Sequence, residues 1–194
     1  MIIIGGYVMQ KRVDTSGSQV RRKILEMLWE AKRSVRSWEI AEKMGISVPS
    51  STMHLLRLIK AGYVSTPQKG HYAITVHGKE MLGLPKVDRE LASRILSPLP
   101  SEKAFRFYRG MGQYLQVFAN SLDDFCVKIK EVDVKSVEFH LPRRDFELWF
   151  QGLGDLELAE KMGQIRRTSL FGESLRKKVY ETVRSRCEEL KRLF

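Results

Sequence analysis

At 194 residues, with 43% apolar and 29% charged side chains, the chain is long enough for one large or two small packed domains, and its composition excludes a disordered tail. Its leading apolar run, Met1-Ile2-Ile3-Ile4, is far short of a spanning segment and has no basic stretch ahead of it, so a soluble, cytoplasmic protein without membrane association is expected. The formal net charge of +11 is uneven: residues 1–83 carry 13 Lys and Arg against 6 Asp and Glu, residues 84–100 carry 3 against 2, and residues 101–194 carry 18 against 15.

Residues 1–16 read as a short apolar strand followed by a polar stretch, either an ordered edge strand or a frayed arm. A helical pattern starts near Ser18, with Val20, Ile24, Leu25 and Leu28 on one face and Arg21, Arg22 and Lys23 off it. The pattern breaks between Ser34 and Ser37, and Ser37 is expected to cap a short helix from Trp38 to Met44. Gly45 supplies a left-handed turn position. Pro49 fits the first turn of a third helix that runs to about Ala61, with Ser51, Leu55 and Leu58 inward and Gly62 as its stop. The period then drops to two. Tyr63-Val64 and Tyr72-Ala73-Ile74 are short strands around a turn built of Pro67, Gln68, Lys69 and Gly70, and Thr75 caps a further helix from Val76 to Leu82.

Residues 84–100 hold three of the six prolines, Pro85, Pro98 and Pro100, and read as a linker carrying a connecting helix from Val87 to Leu96. Beyond it the chain is mostly helical. Ser121 caps a helix to about Glu131, Asp133 caps one through His140, Arg144 to Gln151 forms the next, Asp155 caps a fourth, and the last runs from about Glu173 to Leu193. Residues 105–118 fit either a hairpin turning at Gly110-Met111-Gly112 or a weak helix, and the alternation favours the hairpin. The fold class is therefore mainly α with a small β-wing: an arm or strand over 1–16, an N-terminal winged helix over 17–83, a linker over 84–100 and a mainly helical accessory domain over 101–194.

The order helix, helix, turn, helix, hairpin, helix resembles the winged helix-turn-helix of the multiple-antibiotic-resistance and arsenic-repressor type regulators. The residues carrying the resemblance are Ser37 to Ile46, Leu55 to Val64, Tyr72 to Thr75 and His77-Gly78-Lys79. The likeness covers about the first 80 residues and implies a transcriptional regulator that lays the second helix of the motif in the major groove. The positive excess of the first 83 residues independently favours a polyanion, and duplex DNA is the expected partner. On that reading Pro49, Ser50, Thr52, Met53, Arg57 and Lys60 face the groove, Gln68, Lys69 and His71 of the wing meet the adjacent backbone or minor groove, and Arg21 and Arg22 add charge from the first helix. The groove-facing helix has no Arg, Asn or Gln among its first exposed residues, and Met53 and Leu56 are apolar. A winged helix that instead docks a protein of the transcription machinery, without sequence-specific DNA binding, is the alternative. A homodimer is expected because two half-sites multiply affinity, with the connecting helix and the last helix as its elements.

The second half resembles a helical domain of unknown function found in archaea and some bacteria behind winged helices or enzymes, on Phe105-Arg106-Phe107, Ala119 to Phe125, Glu138-Phe139-His140, Arg144 to Trp149 and Leu153 to Ala159. The resemblance implies an archaeal source and a sensing or protein-docking role, without naming an activity. His140, Arg144, Asp145 and Trp149 form its densest polar-aromatic set. One reading makes them a pocket for an anion; the other, which the residue types favour, makes Trp149 core, Asp145 a helix-start acid and His140 a satisfied buried side chain. No catalysis, cofactor or metal is expected. Cys126 and Cys187 stand apart, and His54, His71, His77 and His140 have no metal-ligand spacing. Gly110-Met111-Gly112 lacks the third glycine of a dinucleotide loop.

Overall fold

The computed structural model describes residues 17–31 and 33–194; the arm or strand expected over residues 1–16 lies outside them. The chain divides into two compact units, one ending at Lys86 and one running from Val87 to Phe194. The connecting helix read into the linker is α5, Arg89–Leu96, and it belongs to the second unit, where Ala92 and Ile95 are fully buried.

The first unit is a winged helix. Helix α1 (Gly17–Ala31) buries Val20, Ile24, Leu25 and Leu28 on the face the sequence pattern places inward. Strand β1 (Val35–Arg36) leads directly into α2 (Ser37–Met44). The cap of α2 is Arg36 rather than Ser37, and the Glu39 carboxylate accepts from the Arg36 backbone N–H at 2.9 Å. Gly45 ends the helix at φ 64°, the left-handed conformation that glycine enters without a Cβ clash. Helix α3 (Val48–Lys60) starts on Ser47, whose hydroxyl accepts from the Ser50 N–H at 3.3 Å. It is pinned to α2 by Ser51, whose buried hydroxyl donates to the Ser37 carbonyl at 2.9 Å.

Strands β2 (Val64–Gln68) and β3 (His71–Ile74) form the wing hairpin, and β1 adds to the other side of β3, giving the antiparallel order β1-β3-β2. The pairs are Val35↔Tyr72 and Arg36↔His71 on one side and Val64↔Ile74 on the other, with an irregularity in β2 between Ser65 and Gln68. Thr75 caps α4 (Val76–Met81) by accepting from the Gly78 N–H, and its hydroxyl also donates to the Gly62 carbonyl at 2.7 Å. Gly78 has no alternative at this position: a Cβ would collide with the Tyr63 carbonyl and come within 2.7 Å of the Ile74 side chain. One apolar cluster, centred on Ile24, Leu28, Ile40, Leu55 and Leu58, joins the three helices to the sheet.

The second unit packs six helices around a two-stranded hairpin. After α5 and a short turn of 3-10 helix at Ser101–Lys103, β4 (Phe105–Tyr108) and β5 (Tyr114–Ala119) pair antiparallel, so the hairpin reading of this segment holds. Then follow α6 (Leu122–Glu131), α7 (Val134–His140), α8 (Asp145–Leu153), α9 (Leu156–Arg166) and α10 (Gly172–Lys191). Ser121, Asp133 and Asp155 cap α6, α7 and α9 as the sequence predicts. Helix α8 starts at Asp145, one residue later than expected, because Arg144 is left-handed at φ 67°. An aromatic core of Phe105, Phe107, Phe125, Phe146 and Phe150 fills the centre. The apolar stripe of α10, Leu175, Val179, Val183, Cys187 and Leu190, is buried inside this unit, so it is not an open face for a second copy.

Candidate nucleic-acid interface

The inner face of α3 is consumed by the core, which leaves the opposite face to solvent. Ser51, His54, Leu55 and Leu58 are buried, whereas Val48, Pro49, Met53, Leu56, Arg57 and Lys60 are exposed. Among the described residues Arg57 and Lys60 make no ion pair, so both cations remain available to an outside anion. Thr52 stands on the same surface, but its hydroxyl donates to the Val48 carbonyl at 2.9 Å, which ties it to its own helix. Ser50 is half-buried at the first turn, beside the Ser47 cap. The outer face is therefore a shallow, mostly apolar trough rimmed by two cations.

His54 lies midway along α3 on its buried face, with Nδ1 lacking a hydrogen-bond partner. Burial pushes its pKa below the usual imidazole value, and the charges of Arg57 and Arg21 push it the same way. Arg21 of α1 thus lies within electrostatic reach of α3. Arg22 is differently placed: it is exposed and bonded to Glu26 one turn on, at 3.2 Å. Surface pairs of this kind are weak, so Arg22 is not locked.

At the wing, Gln68 and Lys69 are exposed around Gly70, which turns the hairpin at φ 75°. His71 faces away from the tip, towards β1. The Arg36 Nε donates to His71 Nε2 at 3.2 Å, and His71 Nδ1 lies 3.2 Å from the Lys69 carbonyl. Because Nε2 accepts, the proton of neutral His71 resides on Nδ1 and points at that carbonyl. The ring is a brace between strands, and Arg36 is the basic group that sequence reading overlooked. The signal was weak: β1 has two residues, and its pairing partner lies 35 positions away. Arg33 is neutralised by Glu39, whose carboxylate is held at a pKa of about 2 by that guanidinium and by the Arg36 N–H.

The four residues grouped in the second unit do not share one pocket. His140 is 4% exposed. Its Nε2 accepts from the Tyr108 N–H at 2.8 Å, and its Nδ1 meets the Asp145 carboxylate at 2.7 Å. Accepting at Nε2 makes the ring a neutral Nδ1–H donor, and burial pushes its pKa down. Trp149 stacks on Phe125 and donates its indole N–H to the Lys103 carbonyl at 3.0 Å. Arg144 turns aside to Glu147, which also takes Arg166 at 2.7 Å. His140 and Asp145 do line a cleft of about 440 Å³, together with Arg106, Tyr108, Phe139 and Arg143, but Arg144 and Trp149 do not.

Among the described residues no group of three or more His, Cys, Asp or Glu side chains is arranged to hold a metal, and no helix is long and apolar enough to cross a membrane. No curated protein and no solved structure matches the chain. Residues 18–66, from α1 into β2, match the family described as bacterial regulatory protein, arsR family, which makes this part of the first unit similar to the DNA-binding helix-turn-helix of regulators.

Proposed function

We propose that the protein is a transcriptional regulator that binds duplex DNA through its first unit, with α3 in the major groove and the wing beside it. The observation that carries this reading is the outer face of α3, where Arg57 and Lys60 stand exposed without a carboxylate partner. Lys69 at the wing tip extends the positive surface, and Arg21 of α1 adds charge within electrostatic reach of His54. Counterion release from phosphates supplies the affinity. Base reading is the lesser part, because Thr52 is bonded to its own backbone and Met53 offers only an apolar contact, suited to a thymine methyl. The second unit serves sensing or docking, and catalysis has no part in this reading. A two-fold dimer belongs to it on general grounds of half-site recognition. Since the stripes of α5 and α10 are buried, such a dimer would use other surfaces.

The exposed Val48, Met53 and Leu56 favour a second reading, a winged helix that docks a protein. The salt dependence of duplex binding separates the two. In the DNA reading, replacing both Arg57 and Lys60 with Gln lowers the slope of log affinity against log salt by about 1.8, two phosphate contacts' worth. Absence of duplex binding by the intact protein at low salt and micromolar concentration would sink the DNA reading. Sedimentation giving only a 22.5 kDa species would remove the dimer.

A further inference from the structure

The cleft at the hairpin of the second unit has walls that are both apolar and charged. Strand β4 gives Phe105, Arg106 and Tyr108 to one side, and the corner between α7 and α8 gives Phe139, His140, Arg143 and Asp145 to the other. Its volume of about 440 Å³ falls in the range of small-molecule sites. The Arg143 guanidinium lies over the Phe139 ring, 4.9 Å from its centre. Asp145 accepts from its Nε at 3.2 Å, which fixes the plane, while Nη1 finds only the Met111 sulfur at 3.8 Å. Thioether sulfur is a poor acceptor, so this end of the fork has spare hydrogen-bonding capacity. Arg106 spends one Nη2 bond on the Ser101 carbonyl. His140 adds no charge, because it is neutral. Two guanidiniums against one carboxylate leave the cleft with a net positive charge.

We infer that this cleft binds a small organic anion, a carboxylate or phosphate carried on a planar apolar body. The oxyanion meets the outer nitrogens of Arg143, with Arg106 opposite, and the body lies against Phe139 and Tyr108. A guanidinium already oriented by a carboxylate and an aromatic face loses little freedom on binding, and its fork matches an oxyanion. Exposed Met111 at the turn can move aside, since its thioether is flexible and held only by the weak sulfur contact. This inference gives a ligand class to the sensing role proposed for the second unit and rests on that reading.

Isothermal titration of the full chain with naphthoate, naphthyl phosphate and neutral naphthalenemethanol tests it. Both anions, or one of them, should bind about tenfold more tightly than the alcohol, as a charge-assisted bond to Arg143 requires. Which anion prevails distinguishes a carboxylate ligand from a phosphate one. Amide resonances of Gly110, Gly112 and Phe139 should shift on binding. Arg143→Met should remove the anions' advantage and leave the alcohol unaffected, and Arg143→Lys should restore part of it. Equal binding of anion and alcohol, no binding of either anion, or shifts confined to other residues would overturn the inference. The same samples are titrated with duplex DNA. Loss of anion binding in Arg143→Met with DNA binding intact separates this site from the winged helix, and failure of DNA binding alone counts against the regulator, not the cleft.

Discussion

Arg186 and Asp155 meet through two hydrogen bonds, 2.8 Å from Nε and 3.0 Å from Nη2, and both side chains are shut away from solvent. Glu157 and Glu189 add further contacts at 3.1 and 3.0 Å. Burial by itself would lower the arginine pKa, but the three carboxylates outweigh it and raise it. Asp155 also caps α9 through the Leu158 N–H at 3.0 Å, so one carboxylate fixes both the start of α9 and the position of α10. Arg186→Met should destabilise the second unit by about 3–5 kcal/mol, because it strands buried carboxylates without their cation. Arg186→Lys, which cannot bridge both oxygens, should fall between. Urea unfolding followed by circular dichroism measures both.

Arg144 holds a left-handed backbone at φ 67°, and this turn carries Arg143 and Asp145 into the cleft. Glycine accepts that conformation freely, and Glu147 would keep Arg166. Arg144→Gly should therefore leave stability unchanged or slightly raised, whereas the β-branched Arg144→Val should cost roughly 1–2 kcal/mol. Equal melting temperatures for the two variants would contradict this.

The buried, neutral His140 makes the second unit sensitive to acid. Burial holds its pKa below 6.5, with the Asp145 carboxylate opposing only in part. A folded-state pKa below the unfolded one gives stability that is present above pH 6.5 and declines as the pH falls through the folded value. Protonation would also turn the Nε2 acceptor against the Tyr108 N–H. The urea midpoint should fall with acidification through this window, and His140→Gln should flatten the decline.

Cys126 of α6 is half-buried and Cys187 of α10 is buried. The interaction between the two thiols lowers the pKa of Cys126, and the same interaction together with burial raises that of Cys187. A maleimide should label Cys126 in the folded protein and reach Cys187 only on unfolding. Peptide mapping after a short pulse checks the order.

Much of the fold was legible because its signals are local. Thr75, Ser121, Asp133 and Asp155 each cap a helix by binding an N–H two or three residues on, so a short window of sequence contains the whole interaction. The features missed depend on partners far along the chain. Strand β1 exists because β3 offers it an edge, and two residues carry no periodicity of their own. Arg186 is bonded to a residue 31 positions earlier. Its placement did leave a trace: it sits three residues after Val183 and four before Leu190, on the inward face of α10, where a lone charge requires a buried partner. In the cleft, the arginine named from sequence was Arg144, but the left-handed turn sends that side chain to Glu147 and puts Arg143 at the site.

The wing has one more consequence. Its outer strand is β2, and an exposed strand edge is ordinarily a template for pairing with another chain. Here Pro67 withholds an amide donor, and the irregularity between Ser65 and Gln68 breaks the spacing of the remaining ones. An incoming strand would find its ladder interrupted, so β2 can lie exposed beside a polyanion without recruiting its own kind into fibres.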